Sequence, residues 1–193
     1  MKEMTLKEIQ KLLGYEVKIV AEKPAEVGGI VDVADIEWIV LDKDEDGNLI
    51  CLAKDFVYTS TQFDSSTNNY ANSDIRKKLN DDFLKKITKK INKDALLDVE
   101  IDLTSDDGLD DYGKVTDKFG LLTADMYRKY NRIIEKYPVK DWWWLATPWS
   151  TPHRGCSSDV RCVDCGGSLY YLYCGNYVGV RPFCIFKSNI FKS

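Results

Sequence analysis

Four of the chain's five tryptophans stand in one stretch, Trp142-Trp143-Trp144-Leu145-Ala146-Thr147-Pro148-Trp149, and no other segment restricts the fold as tightly. In an extended strand Trp142 and Trp144 project from one face and Trp143 from the other, so at least one face has to bury a large aromatic surface. Most of these rings are therefore expected to be structural core.

The residues that follow continue the β pattern. Residues 159–165 and 168–174 read as two strands joined by the Gly166-Gly167 turn, and residues 179–186 as a last strand with Pro182 at an edge or a strand start. The tail is thus expected to be a small antiparallel sheet. Alternation puts Tyr171 and Tyr173 on one face and Tyr170 with Leu172 on the other, so if one face is core, one of the three tyrosines is expected to be structural.

Upstream, residues 5–13 carry Leu6, Ile9, Leu12 and Leu13 at helical spacing, with Thr5 as N-cap, Glu8 as capping-box partner and Gly14 as the stop. A strand is expected at 15–20 and a loop around Pro24 and Gly28-Gly29. Residues 36–41 and 49–53 flank a turn-rich 42–48 and read as a β-hairpin. Asp42, Asp44, Asp46 and Gly47 superficially resemble a calcium loop, but the position that needs a Glu is Ala53 and the flanks are strands, so a solvated hairpin tip is expected. Residues 73–91 place Ile75, Leu79, Phe83, Leu84, Ile87 and Ile91 on one helical face, capped by Ser73 or Asn72, with a solvated lysine face opposite. Residues 98–118 are acidic and look like a long surface excursion; a short strand at 119–122 and a helix from about 123 to 135, ended by Pro138, follow.

At 193 residues, with 44% hydrophobic and 30% charged side chains, the chain fits one domain, 31–193, preceded by a helix-and-strand extension at 1–30. A formal charge of −4 gives no basic footprint, so nucleic acid is not expected as a partner. No signal peptide or apolar span is visible, which excludes membrane insertion and leaves a cytoplasmic or phage-associated location. Five of the six cysteines, Cys156, Cys162, Cys165, Cys174 and Cys184, lie in the last quarter of the chain and Cys51 far from them; they are expected to be mostly reduced.

Between Ser150 and Phe186 there is no Lys, Glu, Gln, Met or Trp, types that supply about one residue in five of the chain. These are the five residues that codons ending in a pyrimidine cannot encode. Adenine-directed mutagenesis of an Asn codon such as AAC yields Tyr, Ser, Cys, Asp, Gly, His, Arg and Leu among others, and never those five. The tail is rich in such residues.

The stretch Trp143–Trp149, the Val160, Cys162 and Val163 strand, Gly167 and the closing Gly179-Val180-Arg181-Pro182 resemble the C-terminal signature of the variable proteins of diversity-generating retroelements, and of a related phage and bacterial family. Trp38, the Asp74-Ile75-Arg76 and Leu79-Asn80 segment and Phe119–Thr123 fit the same layout less specifically. The resemblance implies an α+β, C-type lectin-like fold, with a small antiparallel sheet flanked by two helices, and a non-catalytic protein whose hypervariable C-terminal face, about 150–179, binds a protein or surface ligand. It implies no cofactor, calcium site or other metal. Carried across by position, the scaffold is Trp143, Trp144, Val160, Val163, Gly179, Val180, Arg181 and Pro182. The ligand-binding candidates are His153, Cys156, Ser157, Ser158, Asp159, Arg161, Asp164, Cys165, Ser168, Tyr170, Tyr171, Tyr173, Asn176 and Tyr177. Tyrosine offers rigid amphipathic contact, and Ser, Asp and Asn offer adaptable hydrogen bonds.

Two other readings stand beside this one. Cys162-Val163-Asp164-Cys165 has zinc-knuckle spacing with Cys174, Cys156 and His153 as further ligands, but residues 163–164 read as strand where a knuckle needs a turn. Formylglycine-generating enzymes share the implied fold and use a cysteine pair with copper, yet a reactive cysteine wants a nearby base and His153 is the one histidine. No catalytic residue is nominated.

Overall fold

The computed structural model describes residues 25–191, and within them the chain is mostly β. The helix expected at 5–13 and the strand expected at 15–20 lie outside that range. The first sheet opens with a meander, β1 (Ile30–Val33), β2 (Ile36–Lys43) and β3 (Leu49–Ala53), whose second turn is the expected hairpin. At its tip the Asp44 carboxylate accepts from the backbone N–H of Asp46 and Asn48, at 3.0 and 2.8 Å, so this acidic group closes a turn.

The meander is extended by strands from much later in the chain. β3 pairs antiparallel with β13 (Pro182–Phe186), which also pairs with the two-residue strands β5 (Leu96–Leu97) and β8 (Gly120–Leu121). The second sheet runs in the order β11 (Leu169–Tyr173), β10 (Asp159–Val163), β9 (Trp143–Pro148), β12 (Val178–Val180) and β4 (Tyr58–Thr61). Within it β12 lies parallel to β9 and the other pairs are antiparallel. A separate ribbon joins β6 (Val99–Asp102) to β7 (Lys114–Asp117).

This architecture overturns the expected α+β class and its small sheet flanked by two helices. Among the described residues, strands in two large sheets and a ribbon dominate, and the tail contributes to both sheets. Two causes account for the difference. β4 to β7 are two to four residues long, too short to show an alternation of period two. The expected last strand is also two strands, because the chain leaves one sheet after Val180 and enters the other at Pro182. The 98–118 surface excursion needs the same correction: it folds back on itself as the ribbon and buries Ile101 and Leu103 completely.

The helical segments follow their sequence signals. α1 comprises Asp74–Lys78, a π-helical Leu79–Phe83 and Leu84–Thr88, and its Ser73 cap accepts from the Arg76 N–H at 3.3 Å. Ile75, Leu79, Phe83 and Ile87 are buried along one stripe. α2 (Ala124–Ile134) starts at the Thr123 cap and buries Ala124, Tyr127, Tyr130 and Ile134. No helix among the described residues is long and apolar enough to cross a membrane.

Strand β9 sits at the centre of the second sheet and is buried along its whole length. Trp143 meets the edge of Tyr127, with ring centroids 5.7 Å apart. Trp144 meets Phe63 at the same separation and donates its indole N–H to the Thr61 carbonyl at 2.9 Å. Both faces of the strand thus carry a fully buried indole.

Candidate functional site

β11 is an edge strand, so its side chains have cover from one neighbour only. As a result Tyr170, Tyr171 and Tyr173 are all about half exposed, at 49, 50 and 49%. The expectation that one of the three is structural fails for this reason: alternation divides them between two faces, but at the sheet edge neither face is closed. Tyr177, in the turn from β11 to β12, is more exposed still at 62%.

On one face, cross-strand pairing sets Asp159 opposite Tyr173 and Arg161 opposite Tyr171. The Tyr171 ring lies 4.6 Å from Trp149, and the Arg161 guanidinium lies 4.5 Å from the centre of that same indole. Arg161 in turn is paired to Asp106, which also holds Arg128 at 3.0 Å. The result is a layered stack of aspartate, arginine, tryptophan and tyrosine, anchored at the ribbon side and open to solvent at the tyrosine. Burial raises the Asp106 carboxyl, but the bonds and charges of Arg161 and Arg128 outweigh it and hold the group below the usual carboxylate range.

A second set of polar contacts fixes the loop between β9 and β10. The Asn68 side chain, fully buried, donates to the carbonyls of Ser150 and Asp159 at 2.9 and 3.0 Å and accepts from the Tyr112 hydroxyl at 2.7 Å. Asp107 accepts from the Ser150 hydroxyl and from Arg154, both at 2.8 Å, and Thr151 donates to Asp111. The short helical turn Pro152–Arg154 then carries His153 into solvent and ends at Gly155, whose φ of +77° suits glycine. Behind the edge, the Cys174 backbone carbonyl accepts from the N–H groups of Phe63 and Asp64, at 3.0 and 3.2 Å, and its backbone N–H donates to the Ser158 carbonyl at 2.7 Å.

The fourteen candidates do not form one patch. Asp159, Arg161, Tyr171 and Tyr173 share the face with Trp149, whereas Tyr170 is on the other face, 5.2 Å from Trp142. Asp164, Cys165 and Ser168 occupy the β10–β11 turn, where the Asp164 carboxylate accepts from the N–H groups of Gly166 and Ser168, each at 2.8 Å. His153, Cys156, Ser157 and Ser158 lie in the loop before β10, and Asn176 with Tyr177 in the turn after β11. None of the fourteen is buried, and all eight residues carried across as scaffold are buried.

Trp149, Asp106, Asp107, Asn68 and Tyr112 were missed by reading the sequence. Trp149 was grouped with the core indoles although it is 36% exposed. The acidic 106–111 cluster was the available signal for the others, because three arginines with no obvious partner, Arg128, Arg154 and Arg161, follow it in the chain.

The cysteines form no set poised for chemistry. All six are free. Cys51, Cys162, Cys174 and Cys184 are buried and burial raises their thiols, Cys162 to about 12. Cys162 and Cys165 are separated by this burial, the first inside and the second in solvent. Among the described residues no group of three or more His, Cys, Asp or Glu is placed to hold a metal ion.

No curated protein and no solved structure matches this chain. A family model described as a domain of unknown function (DUF6273) matches residues 46–188, which run from the β2–β3 turn past the end of β13 and include the whole second sheet. The chain belongs to that family.

Proposed function

We propose that this protein is a non-catalytic binder that recognises a protein or other surface ligand through the edge of its second sheet, centred on Trp149, Arg161, Tyr171, Tyr173 and Tyr177. One observation carries the reading: three tyrosines about half exposed or more, Tyr171, Tyr173 and Tyr177, lie on an edge strand and its following turn, with Tyr170 exposed on the reverse face, and the strands behind them have buried side chains. Exposed aromatics of this density mark binding surfaces, since tyrosine gives large contact area with few torsions to freeze. The stack from Asp106 to Tyr171 supports it, because a ring held before the ligand arrives loses little entropy on binding.

The composition favours a further step, in which this face is diversified by adenine-directed copying of a template. In support, the segment 150–186 lacks the five residues that pyrimidine-ending codons cannot encode, and the fourteen residues that the resemblance marks as variable are all unburied.

The test is to sequence the 3′ end of the gene and its flanking DNA across a population. Substitutions confined to adenine positions of a neighbouring near-identical repeat support a diversified binder and mark its contact residues. An invariant tail without a template overturns the diversification. The binding itself is tested separately by affinity capture with the wild-type protein and a Tyr171→Ala, Tyr173→Ala, Tyr177→Ala triple variant. A ligand retained equally by both overturns the assigned surface.

A further inference from the structure

A second site, away from the tyrosine edge, is suggested by Arg181, the residue at which the chain passes from one sheet to the other. It is 1% exposed, and among the described residues no carboxylate pairs with it. Its Nε donates to the Ala53 carbonyl at 3.0 Å, and the guanidinium lies 5.0 Å from the centre of the Trp143 ring. Its Nη2 is buried with no hydrogen-bond partner. A desolvated cation with one neutral acceptor, one ring and only the field of Asp55, which makes no ion pair with it, is incompletely compensated.

Arg181 also lines a cavity of about 80 Å³. Its apolar wall includes Trp143, Val163 and Val139, and the Gly166-Gly167 turn and the Tyr127 hydroxyl stand at its polar side. The Tyr127 hydroxyl is already committed, donating to the Gly167 carbonyl at 2.7 Å. Two carboxylates border the cavity: Glu135 is exposed, and Asp164 is engaged by the N–H groups of the turn. They disfavour a multiply charged anion but leave the guanidinium unpaired.

We propose that this cavity binds a monocarboxylate with a short apolar tail, the carboxylate meeting Arg181 and the tail lying against Trp143, Val163 and Val139. A carboxylate matches the planar fork of a guanidinium and supplies the counter-charge that the buried Arg181 lacks. The small volume suits a short tail. Burial also draws the Arg181 guanidinium down to about 10, in keeping with a charge that lacks compensation in the free protein. The same chemistry is offered by a free short-chain acid and by the terminal carboxylate of a peptide, and the experiment separates them.

The full chain is titrated with sodium propionate at constant ionic strength, with sodium chloride as control, by calorimetry and by the amide shifts of Gly166 and Gly167. N-acetylglycine and its amide form the peptide arm. The expected result is saturable binding of propionate, weakened at least tenfold by Arg181→Met and by Val139→Phe, which fills the cavity from a half-buried loop position and leaves Arg181 in place. Binding of N-acetylglycine in preference to propionate, and not of its amide, assigns the site to a chain terminus. Absence of saturable binding by every carboxylate, or equal binding by Val139→Phe, overturns the proposal, and Val139→Phe decides the matter even where Arg181→Met fails to fold.

Discussion

Replacing Asp106 by alanine tests whether the stack behind the tyrosine edge is held together by charge. Asp106 and Arg161 are 16% and 14% exposed at their side chains, so their pair is largely removed from water. Its loss leaves Arg161 with a second unpartnered position, since Nε is already buried without a partner. Truncating one member of a fully buried pair costs about 3–5 kcal/mol. The residual exposure here, together with the freedom of Arg128 to turn to Asp125, reduces the expectation to about 2–3 kcal/mol. For a domain of this size that corresponds to a melting temperature lower by roughly 4–12 °C. Urea unfolding of Asp106→Ala, Arg161→Met and the double variant measures the coupling, expected at about 1–3 kcal/mol. The pH dependence has a definite sign. The folded Asp106 carboxyl lies below its unfolded value, so its contribution is complete above the unfolded value of about 4 and is lost as pH falls through the lower folded value. The wild type should therefore lose stability on acidification more steeply than Asp106→Ala in that window. A coupling under about 0.5 kcal/mol, with parallel acid profiles, would refute the reasoning.

Three further outcomes are expected. Trp144→Phe removes the donor to the Thr61 carbonyl and part of a fully buried ring system, and should destabilise by about 2–4 kcal/mol in chemical denaturation without moving any exposed residue. Gly120→Ala places a Cβ 2.3 Å from Ile101 Cδ1 and 2.8 Å from Phe183 Cε1, where the ribbon meets β13, and overpacking should cost about 1–3 kcal/mol in the same assay. Under native conditions iodoacetamide should modify Cys165 first and Cys156 next, while Cys51, Cys162, Cys174 and Cys184 react only on unfolding; mass spectrometry of the digested protein reads the order.

How much of this was visible in the sequence depends on the length over which each signal repeats. α1 and α2 span several turns, so their apolar stripes and the caps Ser73 and Thr123 stand out, although the π-helical turn at Leu79–Phe83 does not. The hairpin of β2 and β3 was legible because alternation and turn chemistry agree there. β5 was not, since two residues carry no period; β8 falls in the short strand expected at 119–122, but its pairing with β13, like that of β5, is entirely long-range. For the candidate site, strand alternation divides Tyr171 from Tyr170, but only the strand order shows that β11 is an edge and that both faces are open. Asp106 reads as one of many acidic residues until the ribbon folds back and brings it to Arg161, fifty-five positions further along.

The placement of β13 fixes when this protein can fold. Among the described strands it comes last in chain order, yet it is paired with β3, β5 and β8, all of which leave the ribosome earlier. Until Pro182–Phe186 emerge, the inner edge of β3 is unpaired and Leu52, Cys51 and Leu49 lack their cross-strand neighbours. The first sheet therefore cannot close until every strand from β4 to β12 has been made. Throughout that stretch of synthesis the nascent chain carries an open, apolar strand edge, a state in which a chaperone competes directly with aggregation.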